Sequence, residues 1–328
     1  MAGIGLVLGA GGMVGQAYHA GVLAALAERT GWDPRDADVI VGTSAGSVTG
    51  AVLRLGGSAP DLAAYMADEP VSPEGRVLFR SFGDRRRDLP PFTLAAMLRG
   101  WRPPSGRAAL AALRRPWAIR PMLAAATLLP PGRIDITEHT SLLDRPDGGR
   151  WPEGFLACAV RRADGRRVVL GRPGSPTPSL GRGVAASCAI PGYFAPVPVA
   201  GEQLVDGGAH SPTNADVLLP HRPDLVVAIA PLSAHGGRAR TPDGIVRLAA
   251  HRTLHRELSR LRQAGAKVLC FEPEPDTLAV MGVNAMAEDR APEVVAAARA
   301  EAQRRLEDPR LAIRLDRLSG RRLVTRVA

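Results

Sequence analysis

Gly42-Thr43-Ser44-Ala45-Gly46 follows a short β-branched run, Val39-Ile40-Val41, and opens a segment of helical character. A serine between two glycines at such a junction has the spacing of an exposed nucleophile on a tight strand-to-helix turn. Gly42 and Gly46 remove side chains that would crowd the turn, and the amide of Ala45 can point at a developing oxyanion. The same small residues also make ordinary turns, so the chemistry needs partners elsewhere in the chain.

One partner is the run Gly9-Ala10-Gly11-Gly12-Met13-Val14-Gly15. Backbone amides with so little side-chain cover, opening a helix, suit a phosphate or an oxyanion. A dinucleotide cradle fits poorly. Val14 stands where the third glycine of GxGxxG belongs, and the second strand ends in Gly42-Thr43-Ser44 rather than in an acidic residue. The loop therefore suits an oxyanion hole beside Ser44 better than a pyrophosphate site.

A serine hydroxyl also needs a base. His251 and His255 fall in a long helical segment, where a solvated face is the expectation, and His221 and His235 fall in Pro- or Gly-flanked loops. Asp206 ends the short run Leu204-Val205, and Gly207-Gly208 permit close backbone approach, although Asp-Gly-Gly is also plain turn chemistry. His210, four residues further on, keeps a Ser-His-Asp arrangement open at this point.

The elements that must position these residues read as alternating strands and helices. Ile4–Leu8, the run ending at Gly42, Phe155–Val160, the run after Asp224 and the run after Lys267 are buried-strand patterns, with helical segments between most of them. That alternation predicts a parallel sheet covered by helices on both faces. A hairpin is expected about Asp164-Gly165, a long helix over about 241–264 and a tail helix over about 292–306. From about 70 to 131 the chain is rich in proline and arginine, with Leu110, Leu113 and Trp117 at helical spacing and Pro116 interrupting it. This reads as a helical insertion and a candidate lid.

Composition narrows the function classes. The chain has 328 residues, 45% hydrophobic, enough for one large α/β domain with a sizeable core. The net charge of +10 indicates attraction to polyanions, but Lys267 is the only lysine, so the arginine excess reads partly as compositional habit. With 4% aromatics, a base-stacking platform for nucleic acid is not expected. Cys158, Cys188 and Cys270 are odd in number and far apart, which argues against disulfides or a zinc cluster. No run of about 18 apolar residues would span a bilayer. The expectation is a cytoplasmic protein capable of peripheral contact with an anionic membrane, and no metal or other cofactor is called for.

The glycine loop, the Gly42–Gly46 motif, the segment Ala186–Val197 and Asp206-Gly207-Gly208 with Asn214 beyond it occur in an order that resembles the patatin-like phospholipase family. The resemblance, carried by blocks from Gly9 to about Asn214, implies a three-layer α/β/α sandwich with a mainly parallel central sheet. One hydrolase domain over 1–328 is expected, with the helical insertion and a helical tail over about 291–328 lying outside the matching blocks. It implies a Ser-Asp dyad without histidine: Ser44 as nucleophile, Asp206 as base, and the amides of Gly11, Gly12 and Met13 as oxyanion donors. Gly9, Gly15, Gly42, Gly46, Gly207 and Gly208 would be the motif glycines. The substrate would be a phospholipid or another fatty-acyl ester. Where the family's loop usually has arginine, this chain has Val14. A free aspartate, with pKa about 3.9, is a weak base, and burial would raise it. The alternative function is a non-catalytic lipid-binding module on the same scaffold.

Overall fold

The structure is a computed structural model that describes residues 3–80, 131–144, 149–234 and 242–319. Eight strands form one sheet: β1 (Ile4–Leu8), β2 (Val39–Thr43), β3 (Phe155–Arg161), β4 (Arg167–Leu170), β5 (Val197–Val199), β6 (Glu202–Asp206), β7 (Leu225–Ile229) and β8 (Lys267–Phe271). β3, β2, β1, β7 and β8 lie side by side and parallel. β4 runs antiparallel on β3, β6 also runs antiparallel on β3, and β5 pairs with β6. The helices are α1 (Gly12–Thr30), α2 (Ala45–Arg54), α3 (Ala59–Met66), α4 (Pro73–Phe79), α5 (Leu180–Cys188), α6 (Pro242–Gln263), α7 (Pro275–Met281), α8 (Ala291–Leu306) and α9 (Ala312–Ser319).

Strand periodicity separates two cores. Leu6, Leu8, Ile40, Phe155, Ala157, Val227 and Leu269 face one side, where α1, α2, α5 and α8 pack. Val7, Val41, Leu156, Cys158, Val226 and Val268 face the other, against Leu254, Leu258 and Leu261 of α6. Because successive strand residues point to opposite faces, continuous apolar runs are what a doubly covered sheet requires. The result is the expected three-layer α/β/α sandwich. The hairpin about Asp164-Gly165, the long helix (Pro242–Gln263) and the tail helix (Ala291–Leu306) form as the sequence indicates. Of the insertion, α4 and Pro131 are described; Leu110, Leu113, Pro116 and Trp117 lie outside the described residues, as does His235. Among the described residues no helix is long and apolar enough to cross a membrane.

The sheet edge that matters is that of β3. Ala157 and Cys158 pair with Gly42 and Thr43 of β2 on one side and with Leu170 and Val169 of β4 on the other. One residue further along, Ala159 pairs with Asp206 of β6 while β4 continues on the opposite side. β6 therefore takes over the β3 edge where β2 ends. Asp206 arrives beside β3 one register step beyond Thr43, the residue before Ser44.

Helix α2 reaches its place by backbone contact. A Cβ on Gly46 would lie 1.9 Å from the Leu8 carbonyl oxygen, so the first turn of α2 rests directly on the end of β1. Gly46→Ala is expected to destabilise the fold by at least about 2 kcal/mol, because the obstructing atom is backbone and cannot rotate away. Chemical denaturation of the variant beside the wild type measures it.

Candidate active site

Ser44 sits between β2 and α2 at φ 52 and ψ −121, outside the regions that a residue with a Cβ favours. Its surroundings hold it there. Its N–H donates to Ser187 Oγ at 3.0 Å, and Ser187 Oγ in turn donates to the Cys158 carbonyl at 2.6 Å. The Ser44 carbonyl accepts from the amide and the hydroxyl of Ser47, each at 2.7 Å. Gly42 admits this turn, since a Cβ there would lie 2.6 Å from Ser47 Cα. Ser44 is 7% exposed.

Asp206 ends β6. Its amide donates to the Ala189 carbonyl at 2.9 Å, and its Oδ1 accepts from Gly208 N at 2.6 Å. Burial pushes its carboxyl up to about 6, against opposing hydrogen bonds from the Ser44 hydroxyl and the Gly208 amide. No arginine forms an ion pair with it among the described residues, despite the basic composition. Gly207 packs on β3, where a Cβ would lie 2.2 Å from the Cys158 carbonyl oxygen.

Beside both groups lies Cys188, the last residue of α5. Burial pushes its thiol up to about 12, with the nearby Asp206 charge adding to the shift. It is therefore a neutral thiol, 3.6 Å from Ser47 Oγ and within hydrogen-bonding influence of Ser44. A buried neutral thiol of this kind packs as a small apolar group and is a poor nucleophile.

The glycine loop closes the arrangement. The amides of Gly9 and Ala10 donate to the carbonyls of Ile229 and Pro212, Val14 donates to Ala285, and Gly15 donates to Gly11. The amides of Gly11, Gly12 and Met13, at the start of α1, make no such bond among the described residues. Gly12 has φ 65, and a Cβ there would lie 2.4 Å from the Ala285 carbonyl oxygen, so the loop is pressed between the sheet and the 282–287 segment. A Cβ on Gly15 would lie 3.7 Å from Ala45 Cβ, and one on Gly208 would lie 3.6 Å from Ala10 Cβ. The tertiary structure thus brings the glycine loop, the Ala45 amide and the Asp-Gly-Gly turn to one point at the carboxyl end of the sheet. Donors free to face an oxyanion, a hydroxyl and a carboxyl of raised pKa make an arrangement able to run acyl transfer.

The turn after Asp206 is fixed by a buried network. Asn214 (φ 50) donates from Nδ2 to Thr43 Oγ1 at 3.1 Å and to the Ser211 carbonyl at 2.6 Å, tying the turn to the end of β2. Its Oδ1 accepts from Arg167, which also pairs with Asp216 at 2.6 Å. Glu257 of α6 accepts from Thr213 Oγ1 at 2.8 Å and from Ala215 N at 2.9 Å. Asp216 is held below the usual carboxylate range against its burial chiefly by its hydrogen bond and charge pairing with Arg167, with Arg260 adding to the effect. Ser187 and Cys188 fall inside the Ala186–Val197 segment, but nothing in that segment singles them out as site residues, and Glu257 sits in a charge-rich helix with no signal that separates it from its solvated neighbours.

A family model described as Patatin-like phospholipase matches residues 6–219, well over half of the chain and including every motif residue above. No curated protein matches the chain.

Two stability measurements check this geometry. Ser44→Gly should be more stable than Ser44→Ala by about 1 kcal/mol, since only glycine relaxes the positive φ. Asp206→Asn should raise stability at pH 8 by up to about 3 kcal/mol. The sign follows from linkage. A carboxyl whose folded pKa (about 6) exceeds its unfolded value (3.8) lowers stability progressively as pH rises between those values, and the full penalty stands above the folded pKa. The gain in Asp206→Asn should therefore shrink at pH 5.

Proposed function

The chain belongs to the patatin-like phospholipase family, which implies a lipid acyl hydrolase, and from its geometry we propose that it cleaves fatty-acyl esters through a Ser44–Asp206 dyad. The observation that carries this reading is the placement of Asp206 one register step beyond Thr43, with its carboxyl raised to about 6 in contact with the Ser44 hydroxyl. That value is high enough to accept a proton and low enough to be ionised at neutral pH.

In the proposed reaction, Ser44 Oγ attacks the ester carbonyl and its proton passes to Asp206. The amides of Gly11, Gly12, Met13 and Ala45 donate to the tetrahedral oxyanion. The intermediate collapses, the bond to the leaving alcohol breaks, and Asp206 returns the proton to that oxygen. Water then attacks the acyl-serine, giving its proton to Asp206, and Ser44 regains it as the fatty acid leaves. Each oxyanion donor contributes about 10² to 10³ in kcat in comparable sites, so fixed amides offset the modest basicity of a carboxylate. The strained Ser44 backbone presents the hydroxyl without requiring loop movement at the moment of reaction.

Ser44→Ala and Asp206→Asn should each lower esterase kcat/KM on a p-nitrophenyl acyl ester by at least about 10³-fold, while His210→Ala retains activity. Intact mass after a fluorophosphonate should show one adduct in the wild type and none in Ser44→Ala. The wild-type kcat/KM should rise with pH through about 6 and then level, since Asp206 must be ionised to accept the proton. Near-wild-type turnover in either dyad variant would sink the assignment. Vesicle binding without turnover or adduct would favour the lipid-binding module.

A further inference from the structure

On the opposite face of the sheet from α1, helix α6 carries His251 and His255, one turn apart on a single face. Their rings are 4.2 Å apart between centroids. Both meet Glu272, which directly follows β8. His251 Nδ1 is 2.7 Å from Glu272 Oε1, and His255 Nε2 is 2.8 Å from Glu272 Oε2. The three candidate donor atoms lie within 4.8 Å of one another. Ser233, in the loop after β7, donates its hydroxyl to the same carboxylate.

Three features distinguish this cluster from a helix-to-strand hydrogen-bond clip. Two imidazole nitrogens and a carboxylate oxygen converge from two separate elements. No arginine forms an ion pair with Glu272 among the described residues, in a chain with net charge +10. The cluster also opens to solvent, since the His255 side chain is 42% exposed while Glu272 is 14% exposed. We propose that His251, His255 and Glu272 form a binding site for a first-row divalent transition-metal ion, with zinc the best match to two imidazoles and one carboxylate.

The change needed is small. Tetrahedral zinc with bonds of about 2.0–2.1 Å separates its ligand atoms by about 3.3 Å, so the 2.7 and 2.8 Å N···O contacts open by roughly half an ångström while the wider donor pairs, which lie within 4.8 Å, draw in. The protons now shared between the imidazoles and Glu272 move to the far ring nitrogens, His251 Nε2 and His255 Nδ1. Two neutral imidazoles thus change tautomer with no net proton release, and an imidazole that was protonated gives up one proton to solvent. Water completes the coordination from the exposed side.

The ion would fasten the middle of α6 to the end of β8, and its neighbours on that helix give the fastening meaning. Arg247, four residues before His251, donates to the Pro231 carbonyl at 3.0 Å, and Pro231 abuts Gly11. Glu257, two residues past His255, holds Thr213 and Ala215 beyond the Asp206 turn. The metal would thus be structural, clamping the helix that braces both sides of the Ser44 site, and its binding does not depend on the dyad being catalytic.

The test uses untagged, chelator-stripped full-length protein titrated with Zn²⁺ by calorimetry. Wild type, His255→Ala and Glu272→Gln are compared, with His221→Ala, an exposed histidine elsewhere, as control. We expect one equivalent bound at low micromolar concentrations and a metal-dependent rise in thermal midpoint. Binding should weaken at least about tenfold in both cluster variants and be unchanged in His221→Ala. Co²⁺ should give a visible absorption spectrum of inner-sphere tetrahedral type in the wild type and His221→Ala but not in the two cluster variants. Absence of stoichiometric binding, or equal binding in the cluster variants, overturns the site. Should Glu272→Gln not fold, His255→Ala, at a half-buried position, carries the comparison alone.

Discussion

The whole site depends on one edge of β3. That edge is shared in sequence: β2 occupies it up to the Thr43–Cys158 pair, and β6 takes it from the Ala159–Asp206 pair onward. A parallel and an antiparallel strand thus meet end to end on one neighbour. The chain leaves β2 into Ser44 and arrives from β6 at Asp206, so a hydroxyl and a carboxyl 162 positions apart in sequence become adjacent. Because strand registry is discrete, a slip of one residue in β6 would turn Asp206 to the other face and abolish the contact.

Two costs are concentrated at that meeting point. Ser44 holds a backbone conformation unfavourable to a residue with a Cβ, and Asp206 holds a carboxyl in surroundings that favour its neutral form. Both are sustained by hydrogen bonds that have few alternatives: Ser187 to the Ser44 amide, Ser47 to its carbonyl and Gly208 to the carboxylate. The compensation comes from the apolar layers either side of the sheet, where β1, β2, β3 and β7 are buried along nearly all of their length.

Support for the Asp206 turn extends past the family-matched segment. Asn214 locks the turn to β2, but the loop that carries Asn214 is held in turn by Glu257, a buried carboxyl on α6. The same helix reaches the glycine loop through Arg247 and Pro231, and reaches β8 through the His251–His255–Glu272 cluster. Helix α6 is therefore a brace common to both halves of the site, and the 282–287 segment presses on the glycine loop from the other side.

Local signals along the chain specify part of this arrangement. Apolar runs bounded by glycine specify buried strands, and the Gly42–Gly46 turn and the Gly9–Gly15 loop are legible because each needs small residues at fixed spacing. The sequence pointed to Asp206 over His210 only through the family resemblance, because which side chain lies beside Ser44 depends on the pairing of β6 with β3, a contact between segments about 45 residues apart that no local pattern encodes. Nor did it identify Ser187, Cys188 or Glu257, whose roles come from burial against distant partners. His251 and His255 show the same limit from the other side. Helical periodicity places them on one face and suggests solvent, and only the packing of α6 on the sheet brings Glu272 to that face. Backbone conformations and apolar stripes are short-range properties written residue by residue. The meeting of polar side chains is set by strand order and register, which exist only once the layers have assembled.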